Sequence, residues 1–239
     1  MEKSKKIKLY IGLFYLFFIG MFLYYFFSKF SFQEITSYDF IKNNRDYLFE
    51  LKQSNLFFLA IIFFLFTVIW VLAAGFGSPV AIFGGFIFGK WVGSIIVLLG
   101  LSIGATLLYV FSNYFLKQMI KEKFLNKYQN LEEKFKRSEF IYLLIFRFVG
   151  GTPFQIQNVL PCIFNVKVLN FFWSTFLGIV PSLFLVISIG SGLEEIIDKN
   201  LEAPSMIDLI SSSSIYIPLI AFIVLLIITV LLRKLFYKN

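Results

Sequence analysis

Long apolar runs that alternate with short glycine- and proline-broken segments constrain this chain more than any other feature. Residues 9–27, 56–74, 91–116, 168–189 and 215–232 are runs of mostly apolar residues close to the ~20 that a helix needs to cross a bilayer. Hydrophobic residues make up 59% of the 239, and 34 of them are Phe, more than a soluble domain of this size can bury. The chain therefore predicts as an all-α polytopic membrane protein. Inside a bilayer every backbone N–H and C=O must find a partner within protein or water, so places where the helical pattern breaks between such runs carry unusual weight.

Composition removes several classes of function. There is no His and a single Cys, Cys162. An intrachain disulfide, a His/Cys metal site and a His-dependent triad are excluded, and no cofactor is expected. No acid/base pair or partnered nucleophile stands out, so the expectation is not an enzyme. The Gly75-x-Gly77 spacing lacks the strand–helix setting and the lysine of a phosphate loop, which argues against a nucleotide site. The net charge of +8 sits in tails and loops, where it suits anionic lipid and topology control, with no nucleic-acid partner. No small-residue cleavage site follows the first run, which reads as a retained span.

Charge then orients the chain. The basic tail 1–8, the segment 117–138 with seven basic and three acidic residues, and the basic C-terminus should face the cytoplasm of a cell-membrane protein. Segment 193–213, with five acidic residues and one lysine, should lie outside, and so should the loop 31–54. Parity requires four full spans, 9–27, 91–116, 168–189 and 215–232, with two stretches that make no net crossing. These are 56–90 and 140–166, read as re-entrant hairpins, although 56–74 is long enough to span alone. The resulting organisation is a tail and first span at 1–30, the loop 31–54, a core at 55–192, the acidic loop 193–213 and a last span with basic tail at 214–239. The first hairpin turns at Gly75, Gly77, Ser78 and Pro79, the second at Gly150 to Pro153 with a further break at Pro161. Both carry Gly-Ser/Thr-Pro, then Phe-Gly or Phe-Asn, then a lysine and a span. Repeated sequence entered from opposite sides is the mark of an inverted repeat whose broken helices meet near the midplane.

The polar content of the core is concentrated in FRFVGGTPFQIQNVLPCIFN, residues 146–165. Arg147 is an ionisable residue beside broken backbone at membrane depth, a functional site by default. Arg147, Gly151, Thr152, Pro153, Gln155 and Asn158 are the candidate substrate-binding residues. Gln157 stands with the other amides, which have two compatible uses: pairing freed backbone, or holding a ligand. Ser102, Thr106 and Asn113 are further polar candidates. Gly85, Gly89 and Gly93, four residues apart, suit close helix packing. An apolar stripe with lysines around it makes 117–138 an interfacial amphipathic helix, and Trp91 an interfacial anchor.

Two stretches, GSPVAIFGGFIFGKWVGSIIVLLGLSIGATLLY and FRFVGGTPFQIQN, resemble the VTT-domain superfamily, the DedA-like membrane proteins once called SNARE-associated. The match runs from about Gly75 to Gly192, and Pro-Phe-Gln-x-x-Asn is nearest the Tvp-type branch, in which asparagines are usual where Gln155 stands here. The resemblance implies two re-entrant hairpins and movement of lipids, including anionic phospholipid or lipid-linked phosphate, between leaflets. The alternative is a non-transporting protein needed for membrane organisation or trafficking. Relatives of the DedA branch carry acidic residues in the first hairpin. None occurs here, which argues against a proton relay. Charge and spacing say nothing of the oligomeric state.

Topology is open to direct test. Single cysteines introduced into a Cys162-free chain should label from outside at position 54 and from the cytoplasm at position 130. The reverse pattern at either position overturns the assignment.

Overall fold

A computed structural model describes residues 2–29, 38–118, 138–149, 151–198, 207 and 211–236. All regular structure among them is helical: α1 Glu2–Lys29, α2 Tyr38–Leu72, α3 Gly77–Phe115, α4 Glu139–Val149, α5 Phe154–Val159, a 3₁₀ turn Leu160–Phe164, α6 Val168–Gly178, α7 Val180–Asp198 and α8 Ser213–Phe236. Tyr10–Lys29, Lys42–Leu72 and Gly77–Phe115 are long and apolar enough to cross a bilayer, and the bent pair Val168–Gly178 with Val180–Glu194 makes a fourth candidate. Helix α8 covers the expected last span, with Pro218 inside it. Residues 119–137 of the segment expected to be amphipathic, 199–206 and 208–210 of the acidic segment, and Gly150 lie outside the described residues.

Several boundaries differ from those expected. Residues 38–54, read as a loop, are helical. Asn55 leaves helical geometry (φ −158°, ψ 76°), and its Oδ1 accepts the Phe58 N–H at 3.1 Å. This is an N-cap, and it separates a charged helix from the apolar stretch 56–72. The first break also falls earlier than expected, at 73–76. Gly77, Ser78 and Pro79 form the first turn of α3, where a proline costs no hydrogen bond. The Gly75 N–H donates to the Trp70 carbonyl and the Ala74 N–H to that of Val71. That pairing, with Ala74 at φ 57°, is a Schellman cap built on alanine instead of glycine. Trp70 closes the tip: its Nε1–H donates to the Phe76 carbonyl at 2.8 Å, and its ring covers Gly75. Pro161 is buried in the first turn of the 3₁₀ segment, where the α-helix before it gives way.

Helix α3 is not straight. Gly89 has φ 74°, and a Cβ at Gly93 would press against the Gly84 carbonyl. In a continuous helix those residues would lie ~13 Å apart along the axis, so the chain doubles back at Gly89. This corrects the expectation for Gly89: a side chain there would meet nothing within 4 Å, and its role is the left-handed turn. The arm 77–88 that precedes it is ~18 Å long, too short to cross a ~30 Å hydrocarbon core.

The described chain divides into two compact units. In the first, residues 1–76 and 100–178, Thr67 and Val71 of α2 meet Gly100 and Gly104 of α3 in the same order, so these helices run parallel. Helices α4 and α6 do the same: Glu139 bonds Asn170, and Arg147 packs on Gly178. Tyr109 ties α3 to this pair, stacking on Phe171 at 4.4 Å and donating to the Val166 carbonyl. In α1, Tyr15 donates to the Leu72 carbonyl and stacks on Phe111. In the second unit, residues 77–99 and 179–239, a Cβ at Gly85 would strike the Ile187 carbonyl and one at Gly190 that of Ile82. The arm 77–88 and α7 therefore cross backbone to backbone. Trp91 is largely exposed beside Phe184.

Gly85→Leu or Gly190→Leu should lower the thermal midpoint of the detergent-purified protein, at a cost of about 1–3 kcal/mol or more. Gly20→Leu, on an open face of α1, should change it by less than about 0.5 kcal/mol.

Candidate functional site

The break after α4 frees backbone groups, and the sequence around it decides what they meet. Gly151 adopts φ 77°, and Pro153, at φ −52°, opens α5 by accepting the Gln157 N–H at 3.0 Å. The Gln157 side chain folds back, its Nε2 donating to the Thr152 carbonyl at 2.9 Å. Its Oε1 accepts from Arg147 Nη1 at 3.4 Å, a long bond. One amide thus satisfies freed backbone, the first of the two uses left open by the sequence, and also holds the arginine.

Arg147 is only 3% exposed. Its guanidinium lies over two aromatic rings, 5.4 Å from the centroid of Phe154 and 5.1 Å from that of Phe171. Cation–π contacts that are desolvated in this way contribute about 2 kcal/mol or more. A Cβ on Gly178 would stand 2.6 Å from that of Arg147, so only glycine admits the arginine stem at this depth. Nε and Nη2 have no hydrogen-bond partner. These two donors form one edge of the guanidinium plane, the parallel fork that matches two oxygens of one anion. No Asp or Glu lies between Glu139 and Glu194. Glu139 is occupied at the start of α4, accepting from the Lys167 N–H at 3.1 Å and Asn170 Nδ2 at 2.9 Å.

Of the expected site residues, the fold gathers Arg147, Thr152, Pro153 and the turn at Gly151. Asn158 is fully buried with neither amide atom partnered, on the α5 face that also carries Phe154 and Gln157. Gln155 is half-buried. Gln157 and Phe171 were not among the chosen binding residues. Gln157 was legible as one of three amides, whereas Phe171 is one Phe among many and only packing selects it. Thr175, buried without a partner for Oγ1, shares the α6 face of Phe171 and Gly178. Ser102 is buried with its Oγ unpaired, and Thr106 donates to the Ser102 carbonyl at 2.7 Å within α3.

Several apolar helices of spanning length define a multi-pass α-helical membrane protein, with an arginine buried at a break between its shorter helices. Residues 75–192 match the VTT domain, and the chain is a VTT-domain membrane protein. It is 29% identical over 136 residues to a protein named transmembrane protein 41 homolog from Caenorhabditis elegans, covering 54% of this chain and 55% of the relative. A protein of the same name from Dictyostelium discoideum is 26% identical over 163 residues, covering 65% and 48%. The chain thus spans about half the length of these curated relatives. No solved structure matches it.

Gln157→Leu should destabilise the protein by about 1–3 kcal/mol, because the Thr152 carbonyl and Arg147 Nη1 both lose their partner. Gln155→Leu should fall within about 0.5 kcal/mol of the unmutated protein. Thermal unfolding of the two variants in the same detergent distinguishes them.

Proposed function

We propose that this protein moves lipids or other amphipathic anions between the leaflets of its membrane, with Arg147 holding the anionic group. The observation that carries this reading is the buried guanidinium whose Nε and Nη2 edge is unused. An arginine at the centre of a spanning helix costs about 2.5–3.5 kcal/mol on insertion scales, and Arg147, in the last turn of the short helix α4, is likewise buried away from water. A passing anion offsets that cost, and among the described residues no carboxylate pairs with Arg147. The similarity to transmembrane protein 41 homologs and the VTT domain support a membrane protein of this class.

The same proposal takes 56–90 and 140–166 as re-entrant hairpins of an inverted repeat, with both termini in the cytoplasm. Each half has an apolar helix, a break, a short helix and a second left-handed residue, Gly89 or Asn165, before the next long helix. In each, the first helix runs parallel to the one after the second break. Ala74, Gly89, Gly151 and Asn165 are the positive-φ residues described, and all four sit at these breaks. With no carboxylate in the apolar segments, movement follows the lipid's own gradient and needs no proton gradient.

The full chain reconstituted into liposomes should expose inner-leaflet fluorescent phospholipid to a membrane-impermeant quencher, with or without an imposed pH gradient. Arg147→Lys, which keeps charge and loses the fork, should slow this roughly tenfold or more. Quenching no faster than in protein-free vesicles, or an unchanged rate with Arg147→Lys, overturns the proposal.

A further inference from the structure

Burial turns a count of charges into selectivity. Helices α4, α5 and α6, which supply the groups around Arg147, carry one cation, Arg147, and one carboxylate, Glu139. Glu139 lies about 12 Å earlier along α4 and is bonded to the start of α6. Among the described residues the lysines nearest in sequence, Lys117 and Lys167, belong to that same end; Lys117 donates to Asn165 Oδ1 at 2.8 Å. The unused donors therefore present one positive charge and one two-toothed edge to a desolvated position. A ligand carrying one negative charge leaves this position neutral. A second negative charge would be buried without compensation, which is costly wherever water is excluded.

The remaining unpaired donors bear on shape. Asn158 follows Gln157 and lies one turn beyond Phe154, both of which touch Arg147. Thr175 lies one turn beyond Phe171 and three residues before Gly178, which also both touch it. Asn158 Nδ2 and Thr175 Oγ1 are buried, unpaired donors on the helix faces that meet Arg147. A planar carboxylate fills the fork with its two oxygens, whereas a tetrahedral oxyanion has others to offer to groups off the guanidinium edge.

Resting on the lipid-moving reading above, we propose that the Arg147 site selects a singly charged phosphodiester, the linkage of a phospholipid headgroup, and discriminates against a doubly charged phosphomonoester, with Thr175 as a further donor.

The test uses the full chain in neutral detergent, with thermal midpoints read against matched sodium chloride. Dimethyl phosphate carries one charge throughout and should stabilise the protein at pH 5 and pH 8 alike. Methyl phosphate, whose second ionisation falls near pH 6, should match it at pH 5 and bind roughly tenfold or more weakly at pH 8. Acetate should be weaker than dimethyl phosphate at pH 8. The pattern should persist in Glu139→Gln, which assigns the pH effect to the probe. Thr175→Val should weaken dimethyl phosphate several-fold, while keeping the order of the probes.

Methyl phosphate binding equally well at pH 8, acetate matching dimethyl phosphate, or no stabilisation by any probe overturns the inference. The expected order of probes without lipid movement in liposomes overturns the leaflet-moving reading alone. Equal movement of monoester and diester lipids at pH 8 overturns the single-charge inference alone.

Discussion

The cost of keeping the Arg147 guanidinium out of water governs the first unit. Most groups around it act to lower that cost. Two aromatic faces take up part of the charge, one amide takes an N–H, and Gly178 makes room for the stem. That the edge formed by Nε and Nη2 is left over matters more than any single contact. A purely structural arginine would be expected to spend its fork on nearby carbonyls, which the break in the helix supplies in number. Here Gln157 satisfies the Thr152 carbonyl instead, which keeps that acceptor from the guanidinium.

Glycine carries the packing in both units, by different means. Gly100 and Gly104 let α3 lie against Thr67 and Val71, and Gly85 and Gly190 bring two backbones into direct contact. Gly89 works through its dihedral, reversing the chain so that a nominally continuous helix folds back on itself. Ala74 does a similar job at the tip of the first break with a residue poorly suited to it, at a cost of about 1 kcal/mol. Two hydrogen bonds of the cap and the Trp70 bond to the Phe76 carbonyl hold it there.

The VTT match begins at the first break and ends two residues past Gly190. It therefore includes the crossing of the second unit and the whole arginine site, but not the stretch 56–72 whose Thr67 and Val71 receive the glycines of α3. The architecture around the domain thus depends on chain outside it.

From sequence alone, length and apolarity determined that the chain is a helical membrane protein, because continuous apolar runs of about 20 residues suit helices, whereas a barrel strand alternates apolar and polar residues. The breaks near Gly75 and Gly151 and the isolation of Arg147 were legible too, since glycine, proline and a lone charge stand out against an apolar background. What the sequence could not rank was one apolar or polar residue against its equals. The choice of Gln157 over Gln155, of Phe171 among 34 phenylalanines, and of Gly89 as a turn instead of a packing residue depends on which groups face each other in space. Helicity in 38–54 was hidden by its mixed charge, which composition alone reads as loop. Those decisions belong to the tertiary structure, because burial, edge and dihedral exist only once distant segments have met.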